Sequence, residues 1–156
     1  MKLNLGCSDR LKPGYVNVDS FEPLLPQFPV FEFQQVDLSQ PWPWLNSSVE
    51  EIVADDIIEH LPNKILTMNE IHRVLVPGGK AHIFVPTTDG RGAWQDPTHV
   101  SYWNRNSFFY FTKGVAEYER FHKAYGVAGC FEVVKEEMAE YPGQVSKLSI
   151  VLAAVK

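Results

Sequence analysis

The sequence predicts an α/β fold built on a doubly wound, mostly parallel sheet, and three observations carry that expectation. Two short buried-strand patterns open the chain, residues 2–5 ending at Gly6 and residues 15–18 ending at Asp19. Between two further strand patterns lies one apolar stripe at helical spacing, Leu61, Ile65, Met68, Ile71 or His72, and Leu75. The chain then closes on two strand-like runs joined by Pro142-Gly143.

Taken in order, residues 2–5 and 15–18 read as strands one and two. Residues 31–36 alternate weakly, but their aromatic and branched side chains suit a third strand. Gln40-Pro41-Trp42-Pro43-Trp44 is a rigid connection, and residues 50–54 form strand four. Asp56 stands three residues before Glu59, the spacing of a capping box at the start of the next helix. Pro77-Gly78-Gly79 stops that helix, because proline lacks the N–H that would continue it. Residues 81–85 are strand five, 115–125 a short helix, and 131–141 and 147–155 two final strands. A right-handed doubly wound sheet with an antiparallel edge accommodates this order.

At 156 residues the chain makes one domain, 1–156, long enough to bury a core. The apolar fraction of 45% and aromatic fraction of 13% are globular values. A net charge of -5 argues against gripping a phosphate backbone, so no nucleic-acid partner is expected. Cys7 and Cys130 form no CxxC pair and no disulfide framework. No apolar run is long enough to span a bilayer, and no h-region precedes Leu5-Gly6-Cys7. A cytoplasmic protein with no membrane partner is the expectation.

In an open parallel sheet, ligands bind outside the carboxyl ends of the strands. Gly6 ends the first strand without a Cβ to block a ligand, and Asp19 ends the second with acceptors for a ribose diol. That pair reads as a nucleoside site. Here the chain resembles a small class I S-adenosylmethionine-dependent methyltransferase of the type 11 kind. Leu3-Asn4-Leu5-Gly6-Cys7-Ser8 sits where that family has its first strand and glycine-rich loop. Asp19 sits at its ribose-binding acid, and Val36-Asp37-Leu38 at its adenine-side motif. The run from Glu51 to Leu61 matches its fourth strand and following helix start. Arg73-Val74-Leu75-Val76-Pro77-Gly78-Gly79 matches its turn into strand five.

The resemblance implies a Rossmann-like, seven-stranded sheet with an antiparallel last strand, and S-adenosylmethionine as cofactor. It implies a cofactor site of Leu5, Gly6, Cys7, Ser8, Asp19, Ser20, Asp37, Leu38, Asp55 and Asp56. The chain departs from the family in three ways. Ser8 and Arg10 stand at later glycine places. Only the turn from Cys7 to Gly14 separates the first two strands, too short for a three-turn helix. Pro23, Pro26 and Pro29 forbid a continuous helix after strand two. The first helices are therefore expected to be shortened, and Phe21, Leu24, Leu25, Phe28 and Phe31, or a second copy in a homodimer, to cover the sheet.

Each site residue has a plain structural alternative. Gly6 can be a tight-turn glycine, Asp19 a cap, and Asp37 the start of a turn through Ser39. One of Asp55 and Asp56 can cap the helix while the other is solvated. Glu59 reads first as a cap and His60 as a packed ring. Cys7 reads as a small packed residue rather than a nucleophile. His72, His82 and His122 make no paired ligand spacing, so no metal site is expected.

The run Trp94-Gln95-Asp96-Pro97-Thr98-His99-Val100-Ser101-Tyr102-Trp103-Asn104 follows strand five, within an acceptor-side insertion or lid over residues 86–130. Trp94, Tyr102 and Trp103 suit a planar or sugar-like acceptor, or else roof the core. His99 is the candidate base, since imidazole titrates near neutrality, and Asp96 a second base or the group that orients His99. The function expected is methyl transfer to a small-molecule O or N acceptor. The rivals are a non-catalytic subunit that binds the cofactor, and a NAD-dependent oxidoreductase. The last is disfavoured because GxGxxG is absent and the acid follows the glycine too soon.

Overall fold

In the computed structural model, which describes residues 1–24 and 31–156, seven strands form one sheet in the order β3-β2-β1-β4-β5-β7-β6. The strands are β1 (Lys2–Leu5), β2 (Val16–Asp19), β3 (Phe33–Gln35), β4 (Val49–Asp55), β5 (Leu75–Pro86), β6 (Phe131–Tyr141) and β7 (Val145–Ala154). The pairs from β3 to β5 are parallel. β7 enters antiparallel between β5 and β6. The order reverses at β1, where neighbouring strands leave in opposite directions and open a crevice at their carboxyl ends. The predicted fold class is thus the observed one.

The principal helix is α1 (Lys64–Val74). The asparagine Asn63 caps it, its side chain accepting from the Leu66 amide. Met68, Ile71 and Val74 face the core and are fully buried, so Ile71 rather than His72 belongs to the apolar stripe. The expected Asp56–Glu59 capping box is corrected. Residues Ile58–His60 form a separate 3-10 turn with no side-chain cap. Asp56 instead has φ +53° and pairs with Lys147, 2.5 Å away on β7. Two shorter helices follow, α2 (Gly92–Gln95) and α3 (Ala116–Tyr125), with a 3-10 segment Arg105–Phe111 between them.

No helix occurs between β1 and β4 among the described residues; Pro26 and Pro29 of the proline pattern lie outside them. Phe21 and Leu24 do not cover the sheet; they are 54% and 95% exposed. Leu25 and Phe28 lie outside the described residues, and Phe31 is half-buried. The cover comes from the proline-tryptophan connection instead. Trp42 and Trp44 are buried in the core and meet edge to face at 5.7 Å. Arg73 on α1 donates to the carbonyls of Trp42 and Trp44, and Glu70 accepts from the Trp42 amide. A loop whose backbone polar groups are satisfied by α1 can be buried where a helix would otherwise lie.

Candidate functional site

The first loop is pinned from beneath by two buried asparagines. Asn4 donates to Asn17 Oδ1 at 2.9 Å and to the Arg10 carbonyl, while Asn17 Oδ1 also accepts from the Lys12 amide. These bonds hold residues 7–15 in one turn without a helix. Sequence reasoning missed both residues; the available signal was two asparagines at matched positions within otherwise apolar strands.

Gly6 ends β1 with φ +60°. A Cβ there would lie 2.5 Å from Ile57 Cγ1, so the missing side chain also admits Ile57, from the loop after β4. Asp19 is 7% exposed. Its Oδ2 accepts from the Ser8 amide at 2.9 Å and its Oδ1 from the Ser20 amide at 2.7 Å. A carboxylate has about four acceptor sites, so lone pairs remain for a ligand.

Gly6, Asp19, Ser20, Asp37, Leu38 and His60 line one cleft of about 300 Å³. Asp37 is exposed, and its Oδ1 accepts from the Ser39 amide and hydroxyl. Those bonds hold its carboxyl below the usual carboxylate range, so it stays ionised at the cleft mouth.

Five predicted cofactor residues fall outside that lining. Leu5 and Cys7 are buried at 1% exposure, packed beneath the loop. Burial, and secondly the Asp19 charge, push the Cys7 thiol up to about 11, which makes it inert as a nucleophile. Ser8 contributes its amide to Asp19 rather than a wall. Asp55 is corrected: its carboxylate is held by Arg10 at 2.8 Å, away from the cleft. Asp56 lines a neighbouring pocket, its Oδ1 buried and without a partner among the described residues.

That pocket, of about 190 Å³, shares His60 with the cleft as a lining residue. Its wall is made when residues 96–103 fold back over the 3-10 turn. The amides of Val100 and Ser101 both donate to the Glu59 carbonyl, and the Ser101 hydroxyl donates to the Ile58 carbonyl. This docking brings His99 to Glu59 and His60. The His99 Nε2 lies 3.9 Å from Glu59 Oε1, and the two imidazoles meet at 4.9 Å between centroids.

His99 Nδ1 lies 3.0 Å from the Ala93 carbonyl, an acceptor only, so Nδ1 carries the proton and Nε2 keeps a free lone pair. Asp96 lines the pocket but does not orient His99, which corrects that expectation. Its Oδ1 is bound by the Thr98 amide and hydroxyl, which hold its carboxyl below the ordinary range. Glu59 is the residue sequence reasoning undervalued. Its side chain is 2% exposed and neither oxygen has a hydrogen-bond partner among the described residues. Burial pushes its carboxyl up to about 7.

The aromatic candidates divide. Trp103 is fully buried, donates to Ser101 Oγ, and stacks near Phe108, so it belongs to the core rather than to a substrate. Trp94 and Tyr102 stack on each other at 4.5 Å, 59% and 40% exposed, outside the residues that line the pocket.

Residues 14–83 match the family model described as a methyltransferase domain. No curated protein matches the sequence. Among solved structures, the chain is similar to the Burkholderia thailandensis 1,6-didemethyltoxoflavin-N1-methyltransferase with bound 1,6-didemethyltoxoflavin and S-adenosylhomocysteine. The TM-score is 0.68 at 15% identity, covering 99% of this chain and 71% of that one. It is also similar to the trans-methyltransferase CalH in complex with SAH, with TM-score 0.66, 13% identity and 99% of this chain covered. The chain spans about half, 51%, of that protein's length. A third likeness is to the complex between the Haloferax volcanii Trm112 methyltransferase activator and the putative methyltransferase. There the TM-score is 0.67 at 13% identity, over 99% and 82% of the two chains. At these identities the likeness is one of fold, and the fold is that of the class I methyltransferases. No helix among the described residues is long and apolar enough to cross a membrane.

Proposed function

We propose that this chain, with its class I methyltransferase fold, binds S-adenosylmethionine and transfers the methyl group to an O or N atom of a small polar acceptor. The observation that carries the reading is that one residue, His60, lines both a cleft holding Asp19 and Asp37 and a polar pocket holding His99. A nearly buried carboxylate with spare acceptor sites, at the end of β2, fits a ribose diol. A cleft of about 300 Å³ lies at the lower end of the range of ligand sites, roughly 300–1,000 Å³.

Asp19 would hold the ribose, and Asp37 with the Leu38 backbone would face the adenine. The cofactor supplies a methyl group already activated on a sulfonium. His99, which lines the acceptor pocket and keeps Nε2 without a hydrogen bond, takes the proton that the acceptor atom gives up. Asp56, Lys147 and Gln95 give the pocket polar walls that suit a hydroxylated or amine acceptor better than an apolar one.

A non-catalytic or partner-dependent role is the second reading. Phe21 and Leu24 are exposed beside the cleft strand β2, and the Haloferax neighbour is described with an activator. Thermal unfolding with S-adenosylhomocysteine, and with NAD for comparison, tests the cofactor. Ligand at about a hundred times its dissociation constant stabilises by roughly 2.7 kcal/mol. That raises the midpoint by about 5–10 °C for a domain of this size. No shift with the homocysteine compound overturns the proposal. A shift without any methyl transfer to small acceptors favours the second reading.

A further inference from the structure

We propose that Glu59, His60 and His99 form a binding site for one divalent first-row transition-metal ion. A ring nitrogen of each histidine and a Glu59 carboxylate oxygen lie within 4.8 Å of one another. No other group of three such residues was found among the described residues. The inference rests on the donor set and not on the cofactor cleft, and it replaces the role of His99 as base, because an ion held at Nε2 uses the lone pair that would take the proton.

Three features make this a site rather than a chance cluster. The first is Glu59 itself. Its carboxyl is 2% exposed and both its oxygens lack a hydrogen-bond partner among the described residues, an unmet demand that a bound cation would satisfy. The nearby ammonium of Lys147 is engaged by Asp56 at 2.5 Å. The second is the orientation of the rings. His99 Nδ1 faces the Ala93 carbonyl at 3.0 Å. His60 Nδ1 faces the Thr98 carbonyl at 3.3 Å and the Thr98 hydroxyl oxygen at 3.1 Å, and that hydroxyl gives its hydrogen to Asp96. Oxygen acceptors at Nδ1 place the ring proton there and leave the Nε2 lone pair free. The same outer contacts orient metal-ligating histidines generally.

The third feature is the coordination left open. Two imidazoles and one carboxylate are three protein ligands, and catalytic metal sites keep a further position for water or substrate. Here that position faces the 190 Å³ pocket. Metal–ligand bonds of about 2.0–2.2 Å put ligand atoms about 3–4 Å apart. His99 Nε2 and Glu59 Oε1 are already at 3.9 Å, and the remaining closure is under an ångström for each atom. Sequence spacing does not reveal the set, because two ligands are adjacent and the third is supplied by the loop that docks on the Glu59 carbonyl.

The probe is Co²⁺ added to the chelator-treated chain, followed by its visible absorption, by titration calorimetry and by elemental analysis after desalting. The expected result is one ion per chain, with affinity reduced at least tenfold by Glu59→Gln and by His99→Ala. His72→Ala, at a ring that meets Phe131 and the Val155 carbonyl instead, leaves binding unchanged. Circular dichroism checks that each variant folds, and His60→Ala, at a half-exposed position, replaces any that does not. A wild-type chain that binds no stoichiometric Co²⁺ overturns the proposal and leaves a protonated Glu59 beside His99. Binding that survives loss of Glu59, His60 or His99 also overturns it.

Discussion

Ile57 occupies the space where Gly6 lacks a side chain: an added Cβ would sit 2.5 Å from Ile57 Cγ1 and 2.6 Å from its Cβ. The end of β1 and the loop after β4 are therefore interlocked at the edge of the proposed cofactor cleft. Gly6→Ala meets both this clash and the cost of φ +60° for a residue with a Cβ. The expected loss is about 2–4 kcal/mol of stability, combining strain and overpacking. Ile57→Gly in the same chain, which removes the Cβ at 2.6 Å as well as Cγ1, should recover the part due to the clash and not the part due to φ. Denaturant unfolding of the two variants separates the contributions. Equal stability of single and double variants would mean that the clash is relieved by movement of Ile57.

Asp19 and Asp37 line the same cleft but differ in burial. Asp19 is 7% exposed and joins the Ser8 and Ser20 amides, whereas Asp37 is exposed and bonds only within its own turn. Hydrogen bonds to charged groups contribute about 1.5–3 kcal/mol. Asp19→Ala is expected to weaken S-adenosylhomocysteine binding by about tenfold to a hundredfold on that scale. Asp37→Ala should cost less, because water competes at its position. Calorimetric titration checks the order. A larger loss at Asp37 would place the ribose at the wrong acid.

Glu70 and Arg73 set an acid limit to the fold. Arg73 beside Glu70, with the Trp42 amide, holds the Glu70 carboxyl below its ordinary 4.5. Its lowered folded pKa means that it stabilises the chain above about 4.5, the unfolded value. That stabilisation is lost as pH falls through the folded value. Glu70→Gln is expected to lower stability by about 2–3 kcal/mol near neutral pH. Below pH 4 the wild type should approach the variant. Unfolding curves across pH 3–7 check this; a difference that stays constant would show that the carboxylate charge is not what holds the tryptophan loop.

The sheet was legible because strands and turns are written locally. β1 and β6 have the bounds their residue patterns indicate, and no helix stands between β1 and β4 among the described residues. What failed depended on distant residues. Asp56 and Glu59 have capping spacing, yet Lys147, 91 positions away, draws Asp56 off, and Asn63 caps α1 instead. Phe21 and Leu24 are apolar enough to roof a sheet, but Trp42 and Trp44 do so because Arg73 and Glu70 satisfy their backbone. The candidate base His99 was visible as chemistry. Its setting beside Glu59 was not, because two amide bonds to one carbonyl create it.

The aromatic run after β5 should separate cleanly by mutation. Trp103 is fully buried, its indole N–H satisfied by Ser101 and the Lys64 ammonium 4.7 Å from its ring centroid. Removing a buried tryptophan costs about 3–5 kcal/mol, which consumes much of the stability of a domain with roughly 5–15 to lose. Trp103→Ala is therefore expected to unfold or to melt far earlier than the wild type. Trp94 and Tyr102 are exposed and stacked, a pair worth about 0.5–1.5 kcal/mol beyond its buried area. Trp94→Ala should shift the melting midpoint by only a few degrees. If the pair closes over a bound acceptor, the same change raises KM for that acceptor and leaves S-adenosylhomocysteine affinity unchanged. Unaltered KM would assign the pair to the surface, and leave the polar pocket to select the acceptor alone.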